Sequence, residues 1–246
     1  GIRRPEQVDR QSGDYPAACK LMMDDVNTAI NAAFDAGATE VVACDTHGGG
    51  GQLDIAQMDS RAEYEMPGAG SMMPALDRSY SGVILLGHHA MAGTLNGFLD
   101  HTMNSKAWFE YRINGRRVGE IGIEAAYAAQ YGVPVIAVSG DEATAAEARA
   151  LLGQVETAVV KHGIGRNRAR CLPIPRAQEQ IYDAVSRAVS GTDRFTPWTP
   201  ELPATIELTL YRSDMADAYA GRPEIERVSA RTLRATIDTL EAIRLF

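Results

Sequence analysis

Between residues 15 and 36 apolar side chains recur at helical spacing. Cys19, Met22, Met23, Val26, Ile30, Ala33 and Phe34 share one face of a 3.6-residue repeat. Asp14 is placed to cap this helix, Pro16 fits its first turn, and Gly37 suits the position just past its end. The pattern then changes to short continuous apolar runs at 39–44, 83–86, 133–138 and 155–160, which read as strands buried on both faces. Helical periodicity separates or follows them at 121–130, 143–152 and 176–190, the last ended by Gly191. Strands and helices in alternation predict an α/β fold: a mainly parallel sheet with helices on both faces, a three-layer αβα arrangement.

Other patterns are local. Trp108–Ile113 alternates as a half-buried strand, Asn114–Gly115 is a strong hairpin turn, and the short return strand runs into Glu120. The stretch PGAGSMMPAL, 67–76, suggests a turn and a short helix, and 90–106 reads as a loop. Near residue 195 the chain becomes rich in proline and turn residues (TDRFTPWTPELP). Beyond it a strand is predicted at 205–211, another at 225–228 and a helix at 230–245. The organisation expected is an α/β catalytic domain over 1–195 and a small C-terminal α+β subdomain or edge extension over 196–246. The chain opens GIRRPEQ and its first long element is a helix. Because α/β domains usually begin with a buried strand, a further N-terminal strand is expected upstream of Gly1.

Composition narrows the class. At 246 residues the chain suits one large domain or a domain with a small appendage. A net charge of −8 and the lack of any Lys/Arg block argue against a nucleic-acid partner. No apolar run approaches the ~20 residues that span a membrane. Cys19, Cys44 and Cys171 are odd in number and far apart, which fits reduced thiols in a cytoplasmic protein.

The candidate chemistry sits at strand ends. In open parallel sheets, ligands bind beyond the carboxyl ends of the strands. The run VVACDTH ends in His47 and VILLGHH ends in His88–His89, each beside glycine. A persisting pleat would point His88 and His89 in opposite directions, one as a ligand and one as a supporting or packing residue. Glu120 lies between Gly119 and Gly122 at a helix start. Two imidazoles and a carboxylate match a catalytic zinc site, which keeps one position open for water. Each also has a plain structural reading, as a capping histidine or a glutamate favoured by the helix dipole. Asp45 could bind metal, orient an imidazole, or cap the next loop. Glu124, one turn after Glu120, reads as a residue that follows the helix face. His101, next to Asp100, could act as a general acid/base or stay a solvent-exposed loop residue. Residues 48–51 are four glycines without the GK[ST] ending of a phosphate loop, so they read as a flexible rim. Lys161, His162 and Arg166 could meet a substrate carboxylate or be surface charges.

The chain resembles the D-aminopeptidases encoded in bacterial dipeptide-transport operons, a family of zinc metallopeptidases. The strings that carry the likeness are LMMDDVNTAINAAFDAGATEVVACDTHGG, GVILLGHHAMAGT, LDHTM, INGRRVGEIGIEAAYAAQYGVPVIAVSGD and AVVKHGIGRNRARCL, in that order. The resemblance implies His47, His89 and Glu120 as metal ligands and His101 as the catalytic histidine. It implies two zinc ions, short peptides with an N-terminal D-amino acid as substrates, and hydrolysis by metal-activated water. It also implies a self-compartmentalising, ring-shaped homo-oligomer, a decamer. The family's remaining metal ligands, in an Asp-x-Glu-Gly strand, would fall upstream of Gly1. His88 stands where a relative has tyrosine and is not carried over as a ligand. Two alternatives stay open: a non-catalytic relative that binds small peptides or amino acids, and another metal-dependent amidohydrolase.

Overall fold

A computed structural model describes residues 1–66 and 71–246. A short 3-10 turn, Pro5–Val8, precedes α1 (Tyr15–Asp35). The elements that follow are β1 (Val42–Cys44), β2 (Glu63–Glu65), β3 (Val83–Leu85), β4 (Trp108–Ile113), β5 (Arg116–Val118), α2 (Glu120–Ala129) and β6 (Val135–Asp141). Next come α3 (Glu142–Leu152), β7 (Glu156–Gly165), β8 (Arg168–Cys171), α4 (Ile174–Val189) and β9 (Ala204–Leu210). The chain continues through α5 (Ser213–Asp217), β10 (Glu226–Arg227), β11 (Thr232–Ile237) and a 3-10 turn, Leu240–Arg244.

The α/β reading stands. β3, β6 and β7 lie side by side in parallel, and β8 returns antiparallel on β7. Successive strand residues serve opposite faces, as the pleat requires. Ile84, Ala158 and Val160 pack on Ala29 and Ala32 of α1 and on Ile181 and Val185 of α4. Leu85, Val135 and Val138 pack on Ile121 and Ala125 of α2 and on Ala148 of α3. Helices therefore cover both faces of this sheet.

A second sheet, β10-β11-β9-β4-β5, is antiparallel throughout. In it β9, from the 196–246 segment, pairs with β4, from within 1–195. Its core side chains Ile206, Leu208, Leu210, Tyr111 and Leu233 meet Ile123 and Ala126 of α2. Burying each such Leu or Ile contributes roughly 1.5–3 kcal/mol. A third pair, β1 and β2, stands apart in parallel register.

Two sequence readings need correction. The helix expected at 230–245 is instead β11 followed by the Leu240–Arg244 turn. Thr232–Ile237 buries alternate residues, Leu233, Ala235 and Ile237, so a two-residue period governs it. The short helix expected within 67–76 is absent from 71–76, where turns such as Leu76 N–H to Met73 O (3.0 Å) form; the rest of that stretch lies outside the described residues.

Candidate metal centre

β3 ends at Leu85, and the chain reaches its two histidines through Leu86 and Gly87. Gly87 adopts φ 71°, a turn that breaks the pleat. The His88 N–H still donates to Ser139 O on β6 (2.8 Å), and the Gly87 N–H donates to Ser139 Oγ (2.8 Å). With the pleat broken, the expectation of opposed side chains fails. The two rings lie nearly parallel, 5.6 Å apart, and both address α2. His88 meets Glu124 (Nε2 to Oε2, 2.7 Å), and His89 meets Glu120 one turn earlier (Nε2 to Oε1, 3.4 Å).

Glu120 opens α2 directly after Gly119. A Cβ on Gly119 would come within 2.6 Å of Glu147 Oε1 and 2.7 Å of Met91 Cβ, so no larger residue fits there. Glu120 Oε1 accepts the Met103 N–H at 2.7 Å and lies 3.6 Å from His101 Nε2. The His89 and His101 rings stack with centroids 3.6 Å apart. Ligand atoms of His89, His101 and Glu120 all lie within 4.8 Å of one another.

The hydrogen bonds of the two imidazoles define what this cluster accepts. His101 Nδ1 sits 2.7 Å from Leu99 O and His89 Nδ1 sits 3.2 Å from Ala90 O. A carbonyl only accepts, so each Nδ1 carries the proton and each Nε2 presents a lone pair. Two lone pairs and a carboxylate oxygen then face one point, an arrangement that a cation satisfies and neutral partners do not. The residues fit a metal ion.

Electrostatics agree. Burial, reinforced by the neighbouring His89, pushes the His101 imidazole down to about 4, so the ring is neutral near pH 7. Burial opposes the charge on Glu120. The adjoining His89 and the charged His88 overcome it and hold the carboxyl well below the usual range. Burial also opposes a charge on His88, but Glu124 outweighs it and pushes His88 up to about 9.

His47 enters the same cavity from the end of β1. Its Nε2 lies 3.4 Å from Gly87 O. Its Nδ1 is buried without a partner among the described residues, 3.9 Å from Asp45 Oδ1, which is likewise buried and unpartnered among them. Asp45 Oδ2 accepts the Gln52 N–H (2.6 Å), and Gln52 Nε2 donates to His47 O (2.5 Å). The glycine run is tied down as well: the Arg10 guanidinium donates to Gly48 O (2.9 Å) and Gly50 O (2.7 Å).

The His101 loop is strapped by residues whose role the sequence did not disclose. Asp141 Oδ2 accepts the Phe98 N–H (2.6 Å), and Asp100 pairs with Arg166 (3.0 Å). The Leu99 N–H donates to Arg166 O at 2.7 Å. Asn96, Leu99 and Met103 hold positive φ of 59°, 56° and 53° around His101, strain of about 1–3 kcal/mol each that the straps must offset. Arg166 thus supports the loop, while Lys161 donates to Ile2 O (2.7 Å); neither lines the cavity. Glu147 and Asp141 carry no motif of their own, and Glu124 reads in the sequence only as a residue that follows the helix face.

His47, His89, His101 and Glu120 line one cavity of about 950 Å³, together with His88 and Glu124. The fold and this cluster define a metal-binding α/β protein whose cavity opens at the carboxyl ends of its strands. The chain belongs to the D-aminopeptidase family, Peptidase M55, whose model matches residues 1–246. It is 34% identical over 195 residues to a D-aminopeptidase of Bacillus subtilis (strain 168), covering 78% of this chain and 70% of that one. The solved structure described as the "Zn-dependent D-aminopeptidase DppA from Bacillus subtilis, a self-compartmentalizing protease" superimposes with a TM-score of 0.94 at 28% identity. That match covers 99% of this chain and 89% of that one.

Proposed function

We propose that this chain is a zinc-dependent aminopeptidase that removes N-terminal D-amino acids from short peptides. The observation that carries the proposal is the convergence of His89, His101 and Glu120 on one point inside a peptide-sized cavity. His89 and Glu120 would hold the ion, and His47, which lines the same cavity, would add a further donor. When bound, zinc supplies Lewis acidity and a low-pKa water. His101 moves a proton at Nε2. Its Nδ1–H is committed to Leu99 O, so Nε2 takes a proton before it can give one to the leaving amine. Its 3.6 Å approach to Glu120 also favours a second reading, in which His101 is itself a ligand.

The relative's description as self-compartmentalizing supports a ring assembly for this chain, and we propose a decamer. Light scattering checks it: a mass of ten 26.5 kDa subunits supports the ring, and a monomer or dimer overturns it.

The function is tested with zinc-loaded protein and D-Ala-D-Ala. Chelation abolishes release of D-alanine, added zinc restores it, and L-Ala-L-Ala is cleaved far more slowly. Tight peptide binding without turnover would instead make the protein a peptide-binding relative. Turnover of acyl amides but no peptides would make it a different amidohydrolase.

A further inference from the structure

We propose that Lys106 and Arg244 form a carboxylate-binding end to the cavity, which takes the free C-terminal carboxylate of a dipeptide-sized substrate. This rests on the aminopeptidase reading above and adds which peptides are selected. Lys106 and Arg244 are the only lysine or arginine among the described residues that line the cavity. Both are exposed, and neither side chain has a hydrogen bond or ion pair among the described residues. In a chain of net charge −8, two unengaged cations at the mouth of an otherwise acidic and imidazole-lined cavity need a function.

Their backbones are fixed relative to the metal cluster. The Met103 N–H is on Glu120 Oε1, and a tight turn follows. The Ala107 N–H donates to Asn104 O (3.0 Å), and the Lys106 N–H donates to Asn104 Oδ1 (3.0 Å). Lys106 therefore stands three residues from the Glu120 contact, a chain path of at most about 11 Å. Arg244 ends the Leu240–Arg244 turn, which is anchored twice. The Tyr111 hydroxyl donates to Ile243 O (2.5 Å), and the Leu240 N–H donates to Gln130 Oε1 (3.0 Å). The acid of this turn, Glu241, also lines the cavity, but it accepts from the Tyr131 hydroxyl (3.4 Å).

An extended dipeptide spans roughly 7 Å. With its scissile carbonyl at the cluster of His89, His101 and Glu120, its carboxylate falls toward the mouth, where Lys106 and Arg244 can donate charge-assisted hydrogen bonds. Longer peptides carry that carboxylate past the cations, and C-terminal amides remove its charge. The cavity so read selects for short peptides with a free C-terminus.

The test compares D-Ala-D-Ala with its C-terminal amide in the zinc-loaded protein. The free acid should be favoured at least roughly tenfold in kcat/KM, the low end for a single charged hydrogen bond at a solvent-exposed mouth. Lys106→Met and Arg244→Met should raise KM for the acid and bring it towards the amide. Lys106→Arg and Arg244→Lys should retain most of the preference. Calorimetric binding of an uncleavable D-Ala-D-Ala isostere and its C-terminal amide to the zinc-loaded wild-type protein repeats the comparison without turnover. Failure of wild-type hydrolysis would thus count against the aminopeptidase reading, while the binding comparison still decides the carboxylate end. Equal binding of acid and amide, or variants that weaken both alike, would overturn the proposal.

Discussion

The parallel strands β3, β6 and β7 and the antiparallel sheet β10-β11-β9-β4-β5 pack on different faces of α2, through Ile121 and Ala125 on one side and Ile123 and Ala126 on the other. Only the first sheet delivers chemistry from its strand ends. Parallel strands finish along one edge, and their long crossovers leave the following residues free to build a site. His88, His89 and the loop-bracing Asp141 all come from that edge. In the antiparallel sheet β9 buries Ala204, Ile206, Leu208 and Leu210 in strict alternation, so its side chains are spent on the core. This sheet supplies core and reaches the site through its attachments alone: β5 feeds Gly119 and Glu120, and Tyr111 holds the Arg244 turn.

The largest expected effect lies at the parallel edge. His89→Ala and Glu120→Gln should each lose zinc, measured by atomic absorption, and with it nearly all peptidase activity. The fold should persist by circular dichroism, because the ligands sit outside the packed core. Full zinc stoichiometry in either variant would remove that residue from the ligand set.

His101→Ala comes next. Loss of a positioned proton carrier typically costs about 10²–10⁴-fold in rate, so kcat should fall in that range while zinc stays bound. Loss of zinc along with activity would make His101 a ligand, the second reading that its approach to Glu120 supports.

Leu208→Ala makes the opposite test. Leu208 is fully buried in the antiparallel sheet, and emptying such a site costs about 2–5 kcal/mol. Denaturant unfolding should show that loss, while kcat per folded molecule stays near wild type at low temperature. A large fall in kcat without loss of stability would break the division between the sheets.

The same division explains what the sequence disclosed. Strands at 83–86 and 133–138 are legible because sheet positions covered by helices demand apolar runs, whereas the run at 39–44 yields only the half-buried β1, Val42–Cys44; the ends of the runs at 39–44 and 83–86 point to His47 and His89. β2 (Glu-Tyr-Glu) and β8 (Arg-Ala-Arg-Cys) are not legible, because partly exposed strands can be polar. β11 carries Arg234 on its open side and reads in the sequence as a helix, since its pairing with β9 is a tertiary fact. Four residues, His47, His89, His101 and Glu120, were named from the chain as site candidates, and they line one cavity. The supports were hidden: His88 meets Glu124 across 36 residues, and Asp141 holds Phe98 across 43.

Glu147 tests one such support. Its Oε2 accepts the Met91 N–H (2.7 Å), while its Oε1 is buried without a partner among the described residues and sits against Gly119. Glu147 thus braces the His89 loop and the start of α2 together. Glu147→Ala should weaken zinc binding about 10–100-fold, as loss of ligand-orienting partners does. Competition with a graded chelator reads this, and an unchanged affinity would reduce Glu147 to packing.

The smallest effect is expected where the antiparallel sheet touches the cavity mouth. Tyr111 is fully buried, and its hydroxyl reaches Ile243 O at 2.5 Å, next to Arg244. Tyr111→Phe keeps the ring packed on Trp108 and removes only that bond. It leaves a carbonyl in need of a partner, a cost of about 1–3 kcal/mol. For a chain of this size that lowers Tm by roughly 2–12 °C. Catalysis at the metal end should hold, so kcat for D-Ala-D-Ala should stay within about twofold of wild type. The looser turn should raise KM for the free acid more than for the amide, because Arg244 is the group displaced. An equal change in both would mean that Tyr111 serves the core alone, and the antiparallel sheet would then meet the site only through β5 and Glu120.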